Sequence, residues 1–222
     1  IRQYGFKGQL LVPLTGQLSK AKMPTKTKTI LLKLLIHIGC LLPLTWLYTQ
    51  AFNDNLGGDP VKIVIHFTGI GALNLLLITL MVSILAKRLK QGWVLQVRRL
   101  LGLYGFTYAV FHLLNFFVFD LQLDWGLLLS EIIERPYIMV GMISFVILLS
   151  LAITSINQLR RLMGKRWQQL HNFSYIALPL IVIHFYWSVK SEIIEPSIYI
   201  ALSVLVLLFK QQKIKRWFTK GD

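Results

Sequence analysis

Six stretches long and apolar enough to cross a bilayer recur along this chain, at about Ile30–Gln50, Val61–Ala86, Leu100–Phe119, Pro136–Ile156, Trp167–Ser188 and Ser197–Phe209. A hydrocarbon core about 30 Å thick offers the backbone no hydrogen-bond partner, so such runs must satisfy their own N–H and C=O groups as helices. The last run is short and is expected to extend into interfacial residues. With links this short, the runs use nearly all of the 222 residues. The expectation is an all-α integral membrane protein, a six-helix transmembrane bundle with no separate soluble domain. Composition agrees, with 55% hydrophobic and only 15% charged residues, where a soluble domain carries about 25% charged.

The charges orient the bundle. Of the 24 Lys and Arg residues, three (Lys62, Arg135 and Lys190) fall in one set of loops, and the rest fall in the N-terminal segment, Lys87–Arg99, Arg160–Arg166 and the C-terminal tail. Eight of the nine acids show the opposite bias: Asp54, Asp59, Asp120, Asp124, Glu131, Glu134, Glu192 and Glu195. The positive-inside rule then predicts that both termini are cytoplasmic. The net charge of +15 reads as a basic collar against the lipid bilayer, so no nucleic-acid partner is needed to explain it. Cys40 is alone and can form no internal disulfide. There is no C-x-x-C-H, so any haem would be held non-covalently. No internal repeat, P-loop or Gly-rich nucleotide fingerprint is visible. Residues 1–22 contain no spanning run and no signal-peptide layout, and Met23 can serve as a start. They are set apart as an extension of unknown role, and residues 23–222 are read as one domain.

The five histidines fall into two layers. Counted at about 1.5 Å per residue from the outer boundary, His66, His112 and His184 lie roughly 9–12 Å deep on the second, third and fifth helices. His171 and His37 lie near the cytoplasmic face, on helices five and one. A buried imidazole in lipid needs a partner. A haem iron takes axial imidazoles from two facing helices, and His112 with His184, on parallel helices, suits that role. A divalent metal is a weaker reading, because no carboxylate lies beside them in the membrane. Each histidine could instead hydrogen-bond a carbonyl or a neighbouring helix. Arg98, fourteen residues before His112, is only about 40° out of phase with it, which puts it below His112 near the level of His171, where it could neutralise a haem propionate. On one continuous helix His171 and His184 would be about 140° out of phase, a mismatch that a kink at Pro179 would partly correct.

Four stretches carry a resemblance: "GGDPVKIVIHFTG", "VRRLLGLYGFTYAVFHL", "RPYIMVGMISFVILLSLAITS" and "GKRWQQLHNFSYIALPLIVIHFYWSVK". In this order, spanning about Ile30 to Trp217, they resemble the MsrQ family. These are the haem-binding membrane subunits of bacterial periplasmic methionine-sulfoxide reductase systems. They form part of the ferric-reductase-like transmembrane group that includes the NADPH oxidases. The resemblance implies a b-type cytochrome of the bacterial inner membrane, so residues 23–222 would be a ferric-reductase-like haem-binding domain. It would be an electron-transfer subunit rather than the catalytic one. It would take electrons from the quinone pool, or from a cytosolic flavin reductase with flavin mononucleotide (FMN) as cofactor. It would pass them to a periplasmic molybdopterin methionine-sulfoxide reductase that repairs oxidised proteins. By position, the family's haem-linked histidines fall on His112, His171 and His184, with His66 as a reserve ligand or a propionate or quinol partner. Where the NADPH oxidases place a second histidine on the third helix, this chain has Arg98 and Arg99, and a second ligand near His171 stays open. About a dozen residues follow the sixth run, too few for an attached flavin–nicotinamide domain, and no outer loop is large enough for a molybdenum centre.

Two other readings compete. One is a ferric reductase or another quinol-linked transmembrane cytochrome. The other is a metal or small-solute carrier, which should show an internal repeat or paired broken helices. The segment Asp120–Tyr137 is too polar to span and too apolar for an ordinary loop. Leu127, Leu128, Ile132 and Ile133 recur near helical spacing while Glu131 and Glu134 fall largely away. This predicts a short helix on the outer surface, its acids facing a partner.

Overall fold

A computed structural model describes residues 24–189 and 193–219, and these are mostly helical, with no strand among them. Residues 1–22 and Met23, and Lys190 and Glu192, lie outside the described residues. The helices are α1 (Thr25–Phe52), α2 (Pro60–Arg88), α3 (Arg98–Asn115), α4 (Trp125–Glu134), α5 (Pro136–Ile153), α6 (Asn157–Met163), α7 (Lys165–His171), α8 (Ser174–Ser188) and α9 (Ile194–Thr219). A 3₁₀ segment, Gly92–Val97, leads into α3, and a π-helical turn, Phe116–Asp120, ends it. Local chemistry sets several boundaries. Asp59 accepts from the Lys62 N–H at 3.0 Å with Pro60 in the first turn, two features that favour a helix start. Gly164, at φ +52°, separates α6 from α7.

Among the described residues, five segments are long and apolar enough to cross a membrane: α1, α2, Gly92–Asp120, α5 and α9. The run Trp167–Ser188, expected as one continuous helix, is broken after His171. Asn172 is buried at the break and accepts from Gln168 Nε2 at 2.9 Å, and Ser174 Oγ donates to His171 O. The remaining 15-residue α8 is about 22 Å long, under the thickness of a hydrocarbon core. The break also dissolves the phase mismatch, because His171 and His184 ride on different helices and their directions are set independently.

Helix α2 is the hub. Its Leu73, Leu76 and Leu80 pack with Leu178 and Val182 of α8 and Val206 of α9, while Ala72, Leu75 and Val82 pack with Val97, Leu101, Tyr108 and Ala109. Without a hydrophobic force between helices in lipid, close approach depends on small residues. Gly105 of α3 lets Leu75 come close, and Gly71 of α2 lies directly against the Tyr108 ring, whose hydroxyl donates to Cys40 O of α1 at 2.7 Å. Tyr48, Asn115 and Thr68 form a second polar strap across the same three helices.

Helix α4 is the short helix expected from the pattern, capped by Asp124, which accepts from the Leu127 N–H at 3.0 Å. Its acids are arranged differently. Glu131 shares the half-buried face with Leu128 and Ile132 and is paired with Arg135 at 2.8 Å, whereas Trp125, Leu127, Leu129 and Ile133 are exposed. An arginine one turn on allows the carboxylate to turn inward. Glu134 is the acid that remains outward.

Candidate functional site

The three histidines placed at one depth come together. His112 on α3 and His184 on α8 face each other with ring centres 6.1 Å apart and ring planes at 84°. His66 on α2 lines the same cavity, which has a volume of about 580 Å³, a size typical of small-molecule and cofactor sites. The walls are apolar, among them Leu73, Phe116, Phe145 and Leu148, and the mouth carries Asp59, Lys62 and Asp120. His66 sits 3.4 Å from the Glu195 carboxylate at that end.

The two facing imidazoles are held alike. His112 Nδ1 lies 2.9 Å from Ile65 O of α2, and His184 Nδ1 lies 2.6 Å from Tyr137 O of α5. A carbonyl can only accept, so each Nδ1 carries the proton and donates, and each Nε2 keeps its lone pair. One turn past each acceptor carbonyl stands a glycine. A Cβ on Gly69 would lie 2.9 Å from His112 Nδ1, and one on Gly141 would lie 2.7 Å from His184 Nδ1. The acceptor carbonyl, glycine and histidine of the α2–α3 hairpin (Ile65, Gly69, His112) recur 72 residues later in the α5–α8 hairpin as Tyr137, Gly141 and His184. This local pseudo-repeat was missed in the sequence because the side chains around it do not repeat. The signal was positional, a Gly and a His 43 residues apart occurring twice. Two imidazoles presented in this way can ligate one metal centre from opposite sides. The π-helical turn directly after α3 is the kind of irregularity found at functional sites.

The inner layer is assembled differently. His171 Nε2 lies 3.2 Å from Thr154 Oγ1, and its ring stacks on Trp167 at 4.0 Å, whose indole N–H donates to Thr154 O. His37 is on the far side of α3, its Nδ1 2.5 Å from the Tyr104 hydroxyl. No second histidine faces His171 among the described residues. Arg98 is within electrostatic reach of His171, the level expected for it, but does not line the cavity between His112 and His184. The cation there is Lys62, which sequence reasoning had read only as a loop charge. No group of three or more His, Cys, Asp or Glu side chains comes together among the described residues.

Comparison with known proteins adds the family. Residues 66–182 match the family described as the ferric reductase like transmembrane component, a stretch that holds His66, His112 and His171 and ends two residues before His184. The chain is 43% identical over 195 residues to the protein-methionine-sulfoxide reductase heme-binding subunit MsrQ of Klebsiella pneumoniae subsp. pneumoniae, covering 87% of this chain and 96% of that one. No solved structure matches. The chain belongs to the ferric-reductase-like transmembrane family and, within it, to the MsrQ family.

Proposed function

We propose that the chain is a membrane electron-transfer subunit that binds a b-type haem between His112 and His184 and delivers electrons outward to a methionine-sulfoxide reductase. The observation that carries the reading is the pair of equivalent imidazole cradles on opposite walls of one cavity. The residues fit the group. Two imidazoles whose Nε2 lone pairs are free would hold it from two facing helices across an apolar cavity, the donor set a haem iron takes in a helix bundle. A bound haem would supply a one-electron carrier whose potential follows its ligands and burial. The protein's part is then positional. The Ile65 and Tyr137 carbonyls fix the tautomers, as outer partners of metal-bound histidines do. The apolar walls exclude water, and Lys62 and His66 at the mouth would balance haem carboxylates.

In this reading the broken fifth run counts as the sixth membrane passage, the termini are cytoplasmic, and residues 23–222 form the working domain in the bacterial inner membrane. His171 and Arg98 serve electron uptake on the cytoplasmic side, from quinol or from a cytosolic flavin reductase with FMN. The acceptor is a periplasmic molybdopterin subunit. A stopped-flow experiment tests the direction. Dithionite-reduced protein in nanodiscs should reoxidise when mixed with the periplasmic subunit and a methionine-sulfoxide substrate, and should stay reduced if either is omitted. A haem that stays reduced with both present would contradict the proposal.

The inner layer makes its own prediction. His171→Ala should slow reduction by the cytoplasmic donor about tenfold, at the low end for loss of a supporting partner, while the haem between His112 and His184 stays bound. Haem loss with unchanged reduction kinetics would show that His171 supports the fold of the outer site instead.

A further inference from the structure

At the cytoplasmic end, α9, α3 and α8 bring two lysines, an arginine and a tyrosine into one region where, among the described residues, no carboxylate pairs with the cations. Lys210 of α9 is half-buried, and its ammonium is hydrogen-bonded to the Ser83 hydroxyl of α2. The charges that act on it are Arg98, Lys213 and Lys87, all positive. Arg98, also half-buried, acts on Lys213 and on Tyr175 as well. The Lys213 ammonium lies 5.7 Å from the centre of the Tyr175 ring. Tyr175 is 5% exposed. Like charges gathered partly out of water repel one another unless an anion joins them. The charge bias that sets topology accounts for basic loops. It does not account for a lysine drawn into the α2–α9 interface beside an arginine and a buried phenol.

We propose that Arg98, Lys210, Lys213 and Tyr175 form a binding site for a phosphate group. A guanidinium fork flanked by two ammoniums matches a phosphate's charge and its several acceptor oxygens. The site is separate from the cavity between His112 and His184, which none of these residues lines, and does not depend on the haem reading. The phosphate has two possible sources. Leu85 of α2, Leu89 just past its end, and Leu208 and Phe209 next to Lys210 on α9 are exposed and would receive the acyl chains of an anionic phospholipid; basic pockets between helices at the cytoplasmic face bind such headgroups. A soluble phosphate compound would use the same donors without those apolar flanks.

The test is thermal unfolding of the full-length protein in phosphatidylcholine nanodiscs, in discs containing phosphatidylglycerol, and in phosphatidylcholine discs with added inorganic phosphate. At a hundredfold excess over the dissociation constant the wild type should melt roughly 5–10 °C higher. A shift with phosphatidylglycerol alone assigns the site to lipid, and a shift with inorganic phosphate assigns it to a soluble ligand. Lys210→Gln/Lys213→Gln should abolish the shift, and Arg161→Gln/Lys165→Gln, which removes equal charge elsewhere on the same side, should keep it. No shift in the wild type, or equal loss in both double variants, would overturn the proposal. A second readout needs no variant. The ligand that raises the melting point should slow acetylation of Lys213 several-fold, measured by peptide mass spectrometry, and leave Lys215, on the other side of α9, unchanged. Equal slowing of both lysines would also overturn it.

Discussion

His112→Ala and His184→Ala are each expected to remove nearly all of the same bound haem, measured as pyridine haemochrome per protein and as loss of the low-spin absorption bands. The two variants should look alike, because the ligands face each other across one cavity at 6.1 Å and neither wall offers a replacement. His66 is the one other imidazole lining that cavity. It is turned to Glu195 at the mouth of the cavity, so His66→Ala should keep the haem and alter its spectrum or potential only modestly. The fold should survive loss of His112, since Ile65 lies inside α2, where its carbonyl keeps a helical N–H partner, and no buried acceptor is orphaned. If both histidine variants retain full haem with an unchanged spectrum, the pairing is wrong.

Gly141→Ala and Gly69→Ala carry the second large effect, although neither residue would touch the iron. A methyl at position 141 would sit 2.7 Å from His184 Nδ1 and 2.8 Å from Cε1, and at position 69 it would sit 2.9 Å from His112 Nδ1. Something must move, and the atoms in the way belong to rings held at both ends. Overpacking of this kind costs about 1–3 kcal/mol. The ring that gives way also loses its bond to the carbonyl one turn earlier, and with it the fixed tautomer. Disturbing such outer partners lowers metal affinity about 10–100-fold. The expected result is weakened haem retention and a shifted low-spin spectrum in both variants, with Gly141→Ala the more severe because its contact is tighter. Gly39→Ala, where an added methyl meets nothing within 4 Å, is the matched control. Wild-type haem affinity and spectrum in Gly141→Ala would refute the cradle.

How much of this was legible in the sequence follows from what each level of pattern encodes. Hydropathy and the one-sided distribution of Lys and Arg gave the helical membrane class, because lipid leaves the backbone no alternative. Depth was legible for the same reason: rise per residue is constant along a helix, so His66, His112 and His184 could be placed at one level before any side-chain direction was known. Direction was harder to read. The fifth run is apolar enough to read as one helix, yet Asn172 and Ser174 satisfy backbone and side-chain groups locally and let it break. No periodicity reports a break made by hydrogen bonds. Glu131 was misplaced because Arg135, one turn on, neutralises it on the inner face. Gly69 and Gly141 escaped notice because an isolated glycine in a membrane helix is common, and its purpose appears only when the ring packed against it is seen.

The most direct measurement of the central claim is low-temperature electron paramagnetic resonance of the oxidised wild-type protein. Two imidazoles on one ferric haem make it six-coordinate and low-spin, and their mutual angle sets the anisotropy of the signal. Ring planes at 84°, each pinned through Nδ1 to a carbonyl of a neighbouring helix, predict a strongly anisotropic low-spin signal, and one that is lost in His112→Ala and in His184→Ala alike. A dominant high-spin signal from intact protein, or a low-spin signal that survives either substitution, would contradict the account.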